Sequence, residues 1–375
     1  MNSIVRYVGL DVHKRVVEAC ILDASGEIVL RERFELSRPL LEDFIGRQLT
    51  PSDHVALEAT TNCWAVAAVL RPHVARVVVS NPLATKAIAS AKVKTDKVDA
   101  LTLAQLLRCD YLPEVWQPDL QTQELRRLTG RRSGLVRQAT LLKNRIHSVL
   151  AQRLIAPEKS QLFGAGGRLW LREMPLDEEG RLLVDSDLRL LEAVELELEV
   201  LDNLLAGKAY AREQVRLLMT LPGVDVAVAQ AVLAALGDIG RFRDPDQAAS
   251  YLGLTPRTRQ SADRCYHGPI SKAGNSQARW MLVQAAHHVA RHPGPLGNFF
   301  RRLAKKKTYN VAVVATARKL VVIAWHMLKE NQPYRYAVPR STEEKLRRLR
   351  CKSPASAARR DRRKARLPRP NWGWA

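Results

Sequence analysis

Leu125, Leu128, Leu135, Ala139, Leu142, Ile146 and Val149 recur at intervals of three and four, and Leu191, Val194, Leu198, Leu201 and Leu205 repeat the pattern further on. A spacing near 3.5 residues commits both stretches to long helices with an apolar stripe that must be covered. Arg132 is the polar exception in the first seam, and Gly130 and Gly134 weaken that helix. The segment between the seams, APEKSQLFGAGGRLW, is loop-like. The pattern predicts a coiled-coil arm over residues 116–215, either folded back on itself or paired with another subunit.

Upstream of the arm the period is that of strands. IVRYVGLDV, VVEACILD and IVLRERFEL read as three strands within residues 4–36, with a hairpin turn at Ser25 and Gly26. HVALEAT is a fourth strand at 54–60, a helix follows from Asn62 to Leu70, and ARVVVSNP is a fifth strand. The stretch AKVKTDKVDALTLAQLL, residues 91–107, closes the region as a helix. This order suggests a mixed sheet flanked by helices over residues 1–115. Downstream of the arm, residues 216–335 read as mostly helical. LPGVDVAVAQAVLAALGDI has the Pro-Gly turn and Ala-rich helix of a helix-hairpin-helix-like element, whose turn amides can face a phosphate, and equally of an ordinary helical turn. The fold class expected is α/β plus α.

The chain carries 60 Lys and Arg against 38 Asp and Glu, a formal charge of +22, which points to a polyanion partner. The last 41 residues hold 14 Lys and Arg against 3 Asp and Glu, a net of +11, so residues 336–375 are expected to form a disordered basic tail. Lys305, Lys306 and Lys307 make a second basic patch. Cysteines 20, 63, 109, 265 and 351 are scattered, which argues against a disulfide framework and fits a reducing, cytoplasmic compartment. No apolar run is expected to span a bilayer, and the N-terminus, charged at Arg6 and Asp11, does not read as a signal peptide.

Four carboxylates stand out against this positive background. Asp96 and Asp99, three apart, share one helix face, either as a solvated N-terminus favoured by the dipole or as half of a metal site. Asp11 and Glu58 lie in apolar strand sequences, where an unpaired charge is costly. Taken together the four favour a site for Mg²⁺ or Mn²⁺, and two such ions about 4 Å apart can drive phosphoryl transfer. His13 is expected outside the ligand set, because Mg²⁺ prefers oxygen.

YVGLDVHK, ALEATTNCW and KTDKVDALTLAQLL resemble the three motifs of DEDD-type insertion-sequence transposases, and the segment from LPGVDV to WMLVQAA is similar to the C-terminal transposase domain of that family. The resemblance covers about residues 5–335. It implies a RuvC-like (Holliday-junction-resolvase-like) N-terminal domain of ribonuclease-H fold and makes Asp11, Glu58, Asp96 and Asp99 the DEDD ligands. It further implies a nucleophilic serine in the C-terminal domain, a structured bridge RNA, donor and target DNA, and a bacterial, nucleoid-associated protein. The family's serine position falls on Ser261, followed here by Ala262 where the family usually has Gly; Ser271 and Ser276 compete. Arg257, Arg259, Arg264 and Lys272 are expected to hold the scissile phosphate. The expectation is therefore an RNA-guided recombinase working through a phosphoserine, as a homo-oligomer (dimer or tetramer) without a membrane. The alternatives are a metal-dependent nuclease that uses water, and a non-catalytic nucleic-acid scaffold.

Overall fold

The β-branched runs at the start of the chain pair into one five-stranded sheet. The computed structural model describes residues 5–89, 95–158, 160–261 and 264–352. The chain divides into two units, Met1–Gln117 and Pro118–Ala375. The first unit runs β1 (Tyr7–Val12), β2 (Val16–Leu22), β3 (Ile28–Glu35), α1 (Arg38–Gln48), β4 (His54–Glu58), α2 (Cys63–Leu70), β5 (Arg76–Ser80), α3 (Pro82–Ile88) and α4 (Asp96–Arg108). The sheet order is β3-β2-β1-β4-β5. β1, β2 and β3 are antiparallel neighbours, whereas β4 and β5 run parallel to β1.

Helices cover both faces of this sheet. Leu41, Phe44 and Ile45 of α1 and Val66, Ala67 and Leu70 of α2 bury against Val8, Leu10, Val55 and Leu57. On the other face Ala100 and Ala104 of α4 pack with Cys20 and Leu22, and Leu103 and Leu107 with Ala56 and Val78. Helix α1 is absent from the pattern read in the sequence. Ser37 caps it and Pro39 sits in its first turn, but its polar outer face leaves a weak periodic signal. The first residues of the expected 91–107 helix, 91–94, lie outside the described residues.

In the second unit, α5 (Leu120–Gln152) and α7 (Glu178–Ala211) form a hairpin with the short α6 (Ala165–Glu173) between them. The two leucine seams meet within the chain. Ala139 and Leu142 cluster with Leu191, while Ile146, Val149 and Leu150 cluster with Val184, Leu188 and Leu171. Arg132, the polar exception, places its Nε 2.6 Å from Asp202 Oδ1 on α7. The seam is thus satisfied by folding back.

The remaining elements are α8 (Glu213–Leu218), α9 (Val226–Leu236), α10 (Pro245–Tyr251), β6 (Pro256–Ser261), β7 (Arg264–Ile270), α11 (Ser276–Val289), α12 (Pro295–Ala304), α13 (Tyr309–Glu330) and α14 (Pro339–Lys352). They depart from the sequence reading at four places. A two-stranded antiparallel hairpin, β6–β7, interrupts the expected helices. The Pro-Gly turn between α8 and α9 faces the protein: a Cβ at Gly223 would lie 2.4 Å from the Ala285 carbonyl oxygen, and Lys345 Nζ donates to the carbonyls of Met219 and Leu221. Helix α14 occupies the start of the expected tail, because its Leu349 is buried and the hydrogen bonds of Lys345 tie it down against the desolvation that lowers that amine to about 8. Residues 353–375 of that expected tail lie outside the described residues. Finally, the expectation that no run could span a bilayer is corrected by α13, whose 18-residue window reaches a mean hydropathy of 1.6. Its Ala317, Leu320 and Val321 are fully buried in the core of this unit, as in the central helix of a globular domain.

Ile146 is wholly buried where the arm helices meet. Ile146→Ala should destabilise the arm by about 2–5 kcal/mol in urea unfolding, and Leu196→Ser, at a site 65% exposed, by less than about 1 kcal/mol. Equal losses would show that the α5–α7 seam is not the packed face.

Candidate active site

The alternation of β1 decides which residues meet which helix. Val8, Leu10 and Val12 join the cluster with α1 and α2, so Gly9 and Asp11 face α4. On β4, Val55 and Leu57 belong to the same cluster while Ala56 packs with α4, so Glu58 also faces α4. β1 and β4 are parallel, with Leu10 opposite Leu57. Asp11 and Glu58 occupy the next position along, on strands about 4.8 Å apart.

Helix α4 approaches this face at Gly9. A Cβ there would lie 2.0 Å from the Ala100 carbonyl oxygen and 2.7 Å from the Ala104 amide nitrogen. Thr95 starts the helix by accepting a hydrogen bond from the Val98 amide, which puts Asp96 and Asp99 in the first turn. The result gathers Asp11, His13 and Asp96 at the end of β1, with Asp99 near enough for its charge to act on Asp11; Glu58 ends the neighbouring β4 and is not part of that group. His13 Nε2 stands 3.1 Å from Asp11 Oδ2 and 3.3 Å from Asp96 Oδ1. The ligand atoms of Asp11, His13 and Asp96 all lie within 4.8 Å of one another.

Burial pushes the Asp11 carboxyl up; the protonated His13 opposes this, and the charges of Asp96 and Asp99 reinforce it. A largely buried carboxylate whose affinity for protons is raised by neighbouring acids is equally disposed toward a cation. Its hard carboxylate oxygens are those a divalent ion such as Mg²⁺ or Mn²⁺ takes. The residues therefore fit a divalent metal. His13, expected outside the ligand set, stands against two of the acids. It stands two positions after Asp11, and the signal was that residues two apart on an extended chain share a face.

The serine lies in the second unit. The Ser261 position ends β6, with Arg264 as its registered partner across the hairpin, and Arg259 pairs with Tyr266. By strand alternation, positions 259, 261, 264 and 266 fall on one hairpin face. The Ser261 side chain lies outside the described residues, as do residues 262 and 263. Arg257, Arg259 and Arg264 are exposed, and Arg257 Nη2 donates to the Ser271 carbonyl. Lys272, exposed, takes a left-handed φ of 55° in the turn that leads into α11. Of the competing serines, Ser271 accepts from the Ala273 amide and Ser276 opens α11 behind its cap Asn275. Lys305, Lys306 and Lys307 are exposed in a separate segment between α12 and α13.

Residues 8–155 match the family model of the DEDD transposases of IS110 type, and residues 215–301 match that of the IS116/IS110/IS902 transposase family. The chain is 28% identical to a probable family 20 transposase of Pseudomonas aeruginosa, over 88% of this chain and 98% of that protein. It is 24% identical to the transposase for insertion sequence element IS1111A of Coxiella burnetii, over 88% and 92%. A pilin gene-inverting protein of Moraxella bovis is 26% identical over 88% and 97%.

Two outcomes follow from the geometry. Gly9→Val must drive α4 off the sheet, so it should cost about 1–3 kcal/mol in unfolding and abolish metal-induced stabilisation; retention of both would mean that the Gly9 contact does not set the site. Asp11 has a folded pKa above its unfolded one, so its contribution is present below the unfolded value and lost as pH rises through the folded value. Asp11→Asn should therefore raise the melting temperature of the metal-free protein at neutral pH, with the gain closing in acid. Millimolar Mg²⁺ or Mn²⁺ should stabilise the wild type and not the variant. A variant that melts below the wild type at neutral pH without metal would contradict this account of Asp11.

Proposed function

The chain belongs to the IS110-type insertion-sequence transposases, and we propose that it cuts and rejoins DNA through a phosphoserine formed at Ser261. In this reading Asp11, Glu58, Asp96 and Asp99 hold divalent metal, and a structured bridge RNA directs the choice of donor and target DNA. The single observation that carries it is the gathering of Asp11 and Asp96 around His13 on the α4 face, at the end of a central strand. The sheet order β3-β2-β1-β4-β5, with its antiparallel and parallel halves, supports a RuvC-like domain of ribonuclease-H type.

Bound metal would neutralise charge on the attacking and leaving oxygens. The chain's own residues do the rest. Asp11 and Glu58 offer carboxylates from the rigid sheet, and Asp96 and Asp99 offer them from the first turn of α4. His13 hydrogen-bonds Asp11 through Nε2, stands within ion-pair distance of Asp96 through the same nitrogen, and holds the two carboxylates in place. The Ser261 oxygen bonds to phosphorus as the bond from phosphorus to one strand oxygen breaks; the serine proton is lost and the departing strand oxygen gains one. The new phosphodiester retains the energy of the old, so the reverse attack reseals DNA without ATP. Arg257, Arg259, Arg264 and Lys272 hold phosphate oxygens around the hairpin, and Lys305, Lys306 and Lys307 add contacts along the backbone. Leu182, Leu190, Leu196 and Val200, exposed on α7, support assembly of two or four copies. The protein would act on bacterial nucleoid DNA in the cytoplasm.

Ser261→Ala should bind DNA and RNA like the wild type and form no covalent DNA adduct on denaturing electrophoresis with Mg²⁺. Asp11→Ala or Asp99→Ala should reduce adduct formation more than about 100-fold. An adduct that persists in Ser261→Ala and vanishes in Ser271→Ala or Ser276→Ala would move the nucleophile. Cleavage without an adduct in any variant would make water the attacking group.

A further inference from the structure

A groove of about 990 Å³ runs between α5 and the start of α11, with Gly130, Arg137, Thr140 and Asn144 on one wall and Gln277 and Trp280 on the other. We propose that it seats an unpaired DNA nucleotide, its base stacked on Trp280 and its phosphate held by Arg137. This deepens the reading of the chain as a DNA-joining enzyme and rests on it for the identity of the strand.

Four observations carry the proposal. The first is the indole itself. Trp280 is 53% exposed, and among the described residues no ring or cation stacks on it. Its neighbours Ala278 and Leu282 are buried, so the helix that presents the indole is anchored in the core. A fixed, open aromatic face of this kind binds a base whose own face is free, at little cost in side-chain entropy.

The second is charge. Arg132, Lys143 and Arg145 on the same helix are paired with Asp202, Glu195 and Asp187. Arg137 is exposed and has no carboxylate partner among the described residues. No acidic residue lines the groove, and the chain as a whole carries +22. A wall that offers one uncompensated guanidinium and neutral polar groups complements a phosphodiester.

The third is Gly130. A glycine inside a helix is destabilising relative to alanine, and here a Cβ would meet nothing within 4 Å. Packing within the chain therefore does not require glycine at this position. Its effect is to leave bare backbone on the groove wall, where a sugar or base can come close. The fourth is continuity. The turn from Ser271 to Asn275 joins the groove to the base of the β6–β7 hairpin, where Ile270 faces Pro256, and Ser261 lies opposite Arg264 at the tip, about 20 Å along the strands. A strand cut at that hairpin would present unpaired nucleotides to a surface in the same unit. Paired DNA has its base faces covered by neighbouring pairs and cannot stack on the indole without unstacking.

The test uses the full-length protein and fluorescence anisotropy with a labelled single-stranded DNA oligonucleotide, its duplex, and the RNA of the same sequence. Trp280→Ala should weaken single-stranded DNA binding about 10-fold and duplex binding less than about 2-fold, while Trp280→Phe keeps most of the affinity. Gly130→Leu enters open space, so it should weaken single-strand binding without lowering the melting temperature. Arg137→Ala should shallow the salt dependence by about one phosphate, and Trp280→Ala should leave it unchanged. Wild-type affinity in Trp280→Ala, or equal loss on single strand and duplex, overturns the proposal. A loss confined to RNA overturns the assignment to DNA. The assay reads binding and can be repeated in Ser261→Ala, so failure of the phosphoserine mechanism would not be mistaken for failure of the groove.

Discussion

Gly9 on β1 lets the backbone of α4 rest directly on the sheet, with Ala100 and Ala104 closer than any side chain there would allow. The contact is apolar and small, yet the acids depend on it. It fixes how far the first turn of α4 stands above the ends of β1 and β4, and that first turn carries Asp96 and Asp99. Ala100, Leu103, Ala104 and Leu107 complete the seating by burying against the same face. Hydrophobic packing thus supplies the free energy that holds like charges together.

The gathered carboxylates are unfavourable in isolation. Asp11 is pushed up by burial and by Asp96 and Asp99, and His13, in contact with it, offsets part of that. A structural ion pair would place a fully charged Lys or Arg at this point, as Arg6 does for the buried Asp53 elsewhere in the same unit. The difference is informative: at Asp53 the charge is matched by a permanent guanidinium, whereas at Asp11 the partner is a titratable imidazole and the site remains open to a cation. Excess negative charge within a protein of strongly positive net charge marks these residues as a candidate functional site.

The second unit is built on a different constraint. The long helices α5 and α7 satisfy their leucine stripes against one another, which leaves the outer faces free for polar work. Below the arm, buried alanines of α9, α11 and α13 let the helices approach closely and carry the β6–β7 hairpin on a helical base. Exposed arginines crowd that hairpin, whose two strands pair in antiparallel register. The arrangement separates stability, which resides in the helical core, from the exposed cationic surface of the hairpin.

The amino-acid pattern alone was enough to find the five strands and the two leucine seams, because each is written in a local period. It did not reveal α1, the β6–β7 hairpin or α14. PRTRQS and RCYHGPI have no apolar alternation, so nothing local distinguishes them from a loop; cross-strand pairing makes them strands. PRSTEEKLRRLRCK reads as a charged tail until Leu349 and Lys345 find their partners. The contact of His13 with Asp96 likewise joins residues far apart in sequence. Local sequence encodes which backbone conformations and which faces are available. Only the packing of α4 on Gly9, and of α14 on the turn after α8, decided which of those faces meet.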